Sequence, residues 1–547
     1  MEQNQWFKDV TFYQIWTRSF ADGNGDGIGD LYGVYDKLDY IRSLGVGGIW
    51  FSPLYPSPNA DYGYDISDYR DIHPDFGDLR QFQRVLDKAH RLGMRVLMDL
   101  VVNHTSDEHP WFQESRKSRN NPYSDYYIWR DKPNNWDSLF EGKAWTYDEE
   151  RGQYYLHLFS KKQPDLNMDN PRVRREVREI MRFWLNMGVD GFREDVISFI
   201  SKREGLPNGL PIPAVGGMMH YKDGPHIHEY LGEFRRVAEE YGAVQIGESP
   251  MTTVRSALHY LTGETKSMDM MISFDHMLAD CIGTEYMHLP FSLRRYKRAL
   301  TRWQYTLAGR GAWNVLYVEN HDHPRIISRY GSERYWRESG TMLAVSYLFL
   351  QGTPFIYQGQ EIGMTNIRLR SIDEYRDIAS KQNYERFLTF ESPAKRLRRV
   401  HLSSRDSART PMQWNAGRNA GFTAGKPWFV VNPNYRYVNV EREERDRHSI
   451  LQFYRRCIAL RSKSRALLRG SYREFYPLHP HIFMYERVYG SAAYLIVCNF
   501  RDSETVITLP PAYRDKPLQL MLDNYPGKDG MSPVMEAYEA RVYRTKR

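Results

Sequence analysis

Short apolar runs alternate along this chain with longer stretches of helical periodicity. The runs at 12–16, 48–51, 96–102, 191–195, 244–248, 271–274, 314–319 and 355–358 read as strands. The segments between them show the 3.6-residue rhythm of amphipathic helices, as in 78–92, where Gly93 supplies a C-terminal stop. Strands alternating with helices predict a parallel sheet with crossover helices, and eight of them predict an α/β fold of the closed (β/α)8 type, a TIM barrel.

Two segments break this rhythm. From 105 to 173, after the third strand, the chain is rich in Asn, Asp, Trp and Tyr without helical periodicity, and it reads as an inserted, loop-rich small domain. After about 475 the pattern becomes all-β, with two strands about the Tyr489-Gly490 turn. The expected organisation is a barrel from 1–104 and 174–475, an insert at 105–173, and an antiparallel, sandwich-like β-domain at 476–547 packed on the barrel.

Composition narrows the function classes. Among 547 residues, 41% are hydrophobic and 26% charged, which excludes a disordered or fibrous protein. No run approaches the roughly 18 apolar residues of a membrane span, and the first residues lack a signal-peptide pattern. Cys281, Cys457 and Cys498 are scattered without metal spacing, so a reducing cytoplasm is expected. The net charge of +7 is spread over interleaved acids and bases, which predicts a solvated surface with no nucleic-acid or membrane partner. Aromatic residues reach 14%, and their flat faces with polar edges suit sugar rings.

In a barrel of this type the functional groups gather at the C-terminal ends of the strands. Polar residues recur there: Asn103-His104, Arg193 and Asp195, Glu248, and Asn320-His321-Asp322. Two carboxylates facing one substrate suffice for glycosidic cleavage, one protonated to serve the leaving oxygen and one ionised to attack the anomeric carbon. Arg193 shares a strand face with Asp195 and is expected to keep it ionised. Metal-dependent hydrolysis is the rival use of such a cluster, but the histidines lack an HExxH pairing.

These residues carry a family resemblance. The stretches 101–104 (VVNH), 191–196 (GFREDV), 246–250 (IGESP) and 318–323 (VENHDH) resemble the four signature regions of the α-amylase superfamily, glycoside hydrolase family 13. The segment 163–167 (QPDLN) is similar to the additional region of its oligo-1,6-glucosidase and α-glucosidase branch, as are FYQIWTRSFADGNGDGIGDLYG, YGYDISDYRDI, GTPFIYQGQEIGMTN, RDSARTPMQW and NPNY. The resemblance implies Asp195 as nucleophile, Glu248 as general acid/base and Asp322 as transition-state stabiliser. It implies Asp61, Tyr64, His104, Arg193 and His321 as contacts to the sugar being cleaved. Arg409 resembles the arginine that pairs with Asp61 and closes the pocket behind one glucose unit.

Some positions depart from the family pattern. Glu194 stands beside the nucleophile where an apolar residue is common, Ser249 follows the acid, and His323 follows Asp322. Glu194 should point away from the mouth and needs a buried partner that the sequence does not name.

The loop from Asp22 to Asp30 places oxygens at alternate positions (Asp22, Asn24, Asp26 and Asp30), separated by glycines and Ile28. Such alternation can wrap one hard cation or form a metal-free Asx-rich turn. The resemblance implies a structural Ca2+ here, held by those side chains and the Ile28 carbonyl.

The function expected from these features is a retaining, exo-acting α-glucosidase of short α-glucosides, chiefly of α-1,6 links, acting as a monomer or weak homo-oligomer. Val196 after the nucleophile favours α-1,6 links by the family resemblance. The alternatives are an α-1,4-preferring or transglucosylating α-glucosidase, a trehalose-6-phosphate hydrolase, and a sucrose isomerase. The isomerases' RLDRD signature is absent between Phe274 and Asn320. A catalytically inactive binding subunit of the amino-acid-transporter heavy-chain type is the other class, disfavoured by the three intact carboxylates.

Overall fold

A computed structural model describes residues 5–546 except 141, 213–214, 283, 388 and 528–529. The ends of the chain that the sequence-read boundaries include, 1–4 and 547, lie outside the described residues. Eight strands form the central sheet: β1 (Phe12–Ile15), β2 (Gly48–Phe51), β3 (Arg95–Val101), β4 (Gly191–Asp195), β5 (Val244–Glu248), β6 (Met270–Ile272), β7 (Val315–Leu316) and β8 (Thr353–Tyr357). All neighbours are parallel, in the order β7-β8-β1-β2-β3-β4-β5-β6, and a Met271–Asn314 bridge joins the two ends into a barrel.

Every residue of β1, β2, β4 and β5 is buried, as helices on one side and barrel filling on the other require. The crossover helices carry legible ends. In α1 (Leu31–Ser43) the Asp30 carboxylate caps the Gly33 amide, and in α2 (Leu79–Arg91) Asp78 caps Gln81. Gly93 lies just beyond α2 at φ 74°, a left-handed conformation that favours glycine.

Two strands are shorter than the apolar runs suggested. The run 314–319 forms a strand only at Val315–Leu316, beside the bridged Asn314, because Glu319 turns to accept from Arg325 and the Ile326 amide. The run 271–274 leaves the sheet after Ile272, where the Phe274 carbonyl accepts from the Met277 amide in a turn.

The insert holds a three-stranded antiparallel sheet (Trp129–Arg130, Trp145–Asp148 and Gln153–Leu156) and a helix, Pro110–Lys117, which the polar composition concealed. That helix starts with Pro110 behind a cap from the His109 ring. Trp136, Leu156 and Phe159 of the insert share a core with Val196 and Phe199, so it sits over the end of β4. A His104–Asp165 bridge returns it to the barrel mouth.

The C-terminal sheet comprises β9 (Ser471–Phe475), β10 (Ile482–Tyr489), β11 (Ala492–Asn499), β12 (Gln519–Asp523) and β13 (Ala540–Lys546), ordered β9-β10-β11-β13-β12. It therefore begins at Ser471, ahead of 476, because Ser471–Phe475 pairs with β10 although only Tyr472 in it is buried. The Arg487 guanidinium donates to the carbonyls of Phe349 and Gly470, anchoring the sheet on the barrel.

Candidate active site

The parallel register sets Asp99 beside Arg193 and Val101 beside Asp195, so β3 and β4 aim Asp99, Arg193 and Asp195 at the same space. Arg193, only 1% exposed, is the hub. Its Nη1 lies 2.7 Å from Asp99 Oδ1 and 2.8 Å from Asp195 Oδ1, and its Nη2 lies 3.0 Å from Glu248 Oε1. The second oxygen of Glu248 accepts the Val196 amide at 3.1 Å. Val196 reaches that position at φ 40°, a strained conformation for a β-branched residue that aims its N–H back at Glu248.

One guanidinium thus serves three buried carboxylates. Burial raises Asp195 well above the usual carboxylate range, and Arg193 offsets this only partly because Glu248 and Asp99 add negative charge. Asp99 is pushed up to about 6 and Glu248 is also raised, both chiefly by burial. Arg193 therefore favours the ionised form of Asp195, as expected, but shares its charge with Asp99 and Glu248.

Next to the hub, Tyr64 and His321 stack with centroids 5.3 Å apart, and Trp16 stacks on His321 at 5.3 Å. Gln14 donates to His321 Nδ1 at 2.7 Å, so the imidazole proton sits on Nε2, 2.9 Å from Asp322 Oδ2 and 2.6 Å from the Tyr64 hydroxyl. Burial lowers His321 to about 4, leaving it neutral at physiological pH. Burial alone would raise Asp322, yet His321, Arg405 and Arg409 together hold it well below the usual aspartate value.

The far end of this pocket is closed by Arg405. Its Nη2 stands 3.2 Å from Asp61 Oδ1 and its Nη1 3.2 Å from Asp322 Oδ1. Asp377 holds the same guanidinium at 2.7 Å. The partner of Asp61 is therefore Arg405 and not Arg409, the second arginine of the same RDSAR stretch. Arg409 donates from Nη2 to Asp322 at 3.2 Å and from Nε to the His321 carbonyl at 3.1 Å, against the Trp16 ring. Gln163 of the insert reaches His104 Nε2 at 3.1 Å and lies 3.4 Å from Asp61 Oδ2 and the Tyr64 carbonyl. His104 is lowered to about 4 by burial and is neutral.

Asp61, Tyr64, His104, Gln163, Asp195, Glu248, Asp322 and Arg405 line a cavity of about 340 Å³, while the buried Arg193, His321 and Arg409 stand behind its walls. Phe140, Val196, Met251, Phe274 and Leu278 add apolar side chains to that lining. The arrangement can grip one polar ring firmly and offer an attacking carboxylate and a proton donor on opposite arms of Arg193.

Residues 14–470 match the α-amylase catalytic domain. The chain belongs to the α-amylase family. It is 46% identical over 557 residues to an oligo-1,6-glucosidase of Parageobacillus thermoglucosidasius, covering 99% of each protein. It is 40% identical over 556 residues to a trehalose-6-phosphate hydrolase of Bacillus subtilis, again covering 99% of each. Among solved structures, an isomaltulose synthase from Klebsiella superposes with a TM-score of 0.95 at 39% identity, covering 99% of each chain.

Within this α-amylase-family site, sequence reasoning missed Asp99, Gln14, Gln163 and Arg405. Asp99 had a signal, an acid inside the apolar run VLMDLV. Glu194 points away from the mouth as its strand position requires, and its partner is Gln245, whose Nε2 donates at 2.5 Å. Its other oxygen has no partner, and burial pushes the carboxyl up to about 8, so Glu194 is protonated at neutral pH. Ser249 bonds the Thr252 hydroxyl beneath the mouth.

The loop expected to hold Ca2+ offers hard oxygen donors and three acids within nine residues, a donor set that fits that ion. Asp22 accepts from the amides of Gly25 and Gly27 at 2.6 and 2.7 Å, Asp26 from Ile28 at 2.8 Å, and Asp30 from Gly33 at 2.7 Å. No three acidic oxygens of the loop lie within 4.8 Å of one another. Among the described residues such a group occurs only at Asp280, Cys281 and His288, where the Arg329 guanidinium already occupies Asp280 at 2.6 Å.

Proposed function

We propose that this protein is a retaining, exo-acting α-glucosidase of short α-glucosides, acting chiefly on α-1,6 links by double displacement. The observation that carries the reading is the clasp of Asp61, Arg405 and Asp322, which closes the cavity behind one sugar ring beside two carboxylates that share Arg193. A ring bound there exposes only its anomeric side, so cleavage starts from a chain end.

In this reading Glu248 donates a proton to the glycosidic oxygen while Asp195 Oδ attacks the anomeric carbon, forming a glucosyl ester and releasing the leaving group. Glu248 then takes a proton from water, which attacks the ester and regenerates Asp195. Asp322, ionised and held by the Nε2 proton of His321, accepts ring hydroxyls and stabilises the positive charge developing on the sugar. Arg193 limits the repulsion among Asp99, Asp195 and Glu248 and fixes their spacing.

The α-1,6 preference is supported by the name of the 46%-identical relative and by Val196 at the junction between sugar and leaving group. A trehalose-6-phosphate substrate would bring a phosphate to the leaving-group side. Among the described lining residues the only arginine or lysine is Arg405, already held by three carboxylates, which speaks against that substrate. Ca2+ is part of the proposal as a structural ion of the Asp22, Asn24, Asp26 and Asp30 side chains and the Ile28 carbonyl. A cytoplasmic location is supported by three free cysteines.

Proton NMR during hydrolysis of isomaltose tests the reading. The expected first product is α-glucose, and β-glucose appearing first would overturn double displacement. A substrate panel of isomaltose, panose, maltose, sucrose and trehalose-6-phosphate should be led by isomaltose.

A further inference from the structure

Besides its polar groups the cavity carries apolar walls, among them Val196, Met251, Phe274 and Leu278. Glu285 and His323 interrupt them. Glu285 lies on the strand Thr284–His288, and its carbonyl is pinned by the Ser403 hydroxyl at 2.9 Å. Its side chain remains 31% exposed, and Oε2 lies 3.7 Å from His323 Nδ1. That separation is longer than a direct hydrogen bond, so the carboxylate keeps lone pairs to offer a ligand.

His323 is 1% exposed and sits behind Glu285, its ring 5.5 Å from Phe274 and 6.1 Å from Tyr317. Neither ring nitrogen has a hydrogen-bond partner. A buried imidazole with both nitrogens unpaired is costly unless a neighbouring group or a bound ligand draws on it. Burial would raise the Glu285 carboxyl, but His323 and Arg329 hold it below the ordinary glutamate value. It is therefore charged at neutral pH, the state that accepts hydroxyl protons.

We propose that Glu285, positioned by His323, accepts a hydrogen bond from a ring hydroxyl of the departing sugar, and that the pair discriminates sugar from non-sugar leaving groups. The proposal rests on the α-glucosidase reading above. The departing ring would lay its CH face on the apolar walls and turn one hydroxyl to Glu285, the one carboxylate among the described lining residues that the sugar-gripping and attacking set does not include. A hydrogen bond to a charged acceptor is among the stronger single contacts, so its loss is expected to be visible in kinetics.

Three substrates separate this role from others: isomaltose, p-nitrophenyl α-glucoside and α-glucosyl fluoride. In Glu285→Gln, kcat/KM for isomaltose should fall about 10- to 100-fold. The two substrates without a leaving-group sugar should change by no more than about threefold. His323→Asn should shift isomaltose in the same direction, and the double variant should be little worse than Glu285→Gln alone, since His323 acts through Glu285. Glu285→Ala provides the same comparison if the Gln variant does not fold. Equal losses on all three substrates, unchanged isomaltose kinetics, or fully additive single variants would each overturn the proposal. Failure of the wild-type protein to hydrolyse α-glucosyl fluoride would instead overturn the α-glucosidase reading.

Discussion

Asp195 and Glu248 hold opposite arms of a single guanidinium, Nη1 and Nη2 of Arg193, at 2.8 and 3.0 Å. The two carboxylates proposed to bracket the anomeric carbon are therefore spaced by a rigid planar fork on the same strand as one of them. Asp195→Asn and Glu248→Gln keep side-chain volume and most contacts to that fork. Each is expected to lower kcat by at least about three orders of magnitude, the scale for loss of an acid/base or nucleophilic group. Melting temperatures near that of the wild type would separate lost chemistry from lost structure. A variant that keeps a tenth of the activity would remove that residue from the role.

The clasp gives a second outcome. Arg405→Gln removes the charge that joins Asp61 to Asp322, in the part of the pocket common to every substrate. Turnover of isomaltose and of α-glucosyl fluoride should fall together, by roughly 10- to 100-fold for one charge-assisted contact. Arg409 donates to the His321 backbone and is fully buried, so Arg409→Gln should also lower the melting temperature. Loss on isomaltose alone in Arg405→Gln would place Arg405 on the leaving-group side instead.

How much of this was readable follows from where the chemistry sits in each element. Asp195 and Glu248 end apolar strands, so the break in pattern exposes them, and their common placement follows from the barrel itself. Arg405 and Arg409 lie in an irregular stretch with no period, and only the tertiary path decides which one faces Asp61. Glu285 was invisible for a similar reason, since the excursion from 273 to 292 sets its position. The short pairing of β7 reflects the Glu319–Arg325 ion pair, a contact across a six-residue turn that overrides strand propensity.

Glu194 predicts a pH dependence of stability. Its carboxyl titrates at about 8 when folded, against about 4.3 in an unfolded chain. Below pH 4 both states are protonated and the group contributes nothing. As pH rises from about 4 to 8 the unfolded state ionises first, so stability falls, and the cost is complete above pH 8. Glu194→Gln keeps an oxygen to accept from Gln245 and cannot ionise. The variant should match the wild type at pH 4.5 and be more stable at pH 8, by on the order of 2 kcal/mol after allowance for relaxation of the site. Thermal melts at the two pH values measure this. An equal difference at both would show that ionisation is not the cause.

The Asp22–Asp30 loop predicts a response to Ca2+. The carboxylates of Asp22, Asp26 and Asp30 each accept from backbone amides in one short loop, so a divalent cation bound there would add to contacts that the amides already make. Added Ca2+ should raise the melting temperature of EDTA-treated protein by mass action, by an amount equal to about 2.7 kcal/mol at a hundredfold excess over Kd. The chemical step should be unchanged, since the loop supplies no residue to the cavity. Identical melts with and without Ca2+ would show that amide hydrogen bonds alone hold the loop.

The last prediction concerns Val196, which links acid placement to linkage preference. Its amide holds Glu248 Oε2, its φ of 40° is strained, and its side chain lines the cavity between the gripped sugar and the apolar walls. A β-branched side chain with little rotamer freedom narrows this junction and should favour the longer, more flexible α-1,6 connection over the shorter α-1,4 one. In Val196→Ala the ratio of kcat/KM for isomaltose to that for maltose should fall about tenfold, equivalent to about 1.4 kcal/mol. Hydrolysis of α-glucosyl fluoride should change little, because the backbone amide that holds Glu248 is retained. An unchanged linkage ratio would show that Val196 matters only through that amide, and faster hydrolysis of maltose than isomaltose by the wild type would overturn the α-1,6 assignment itself.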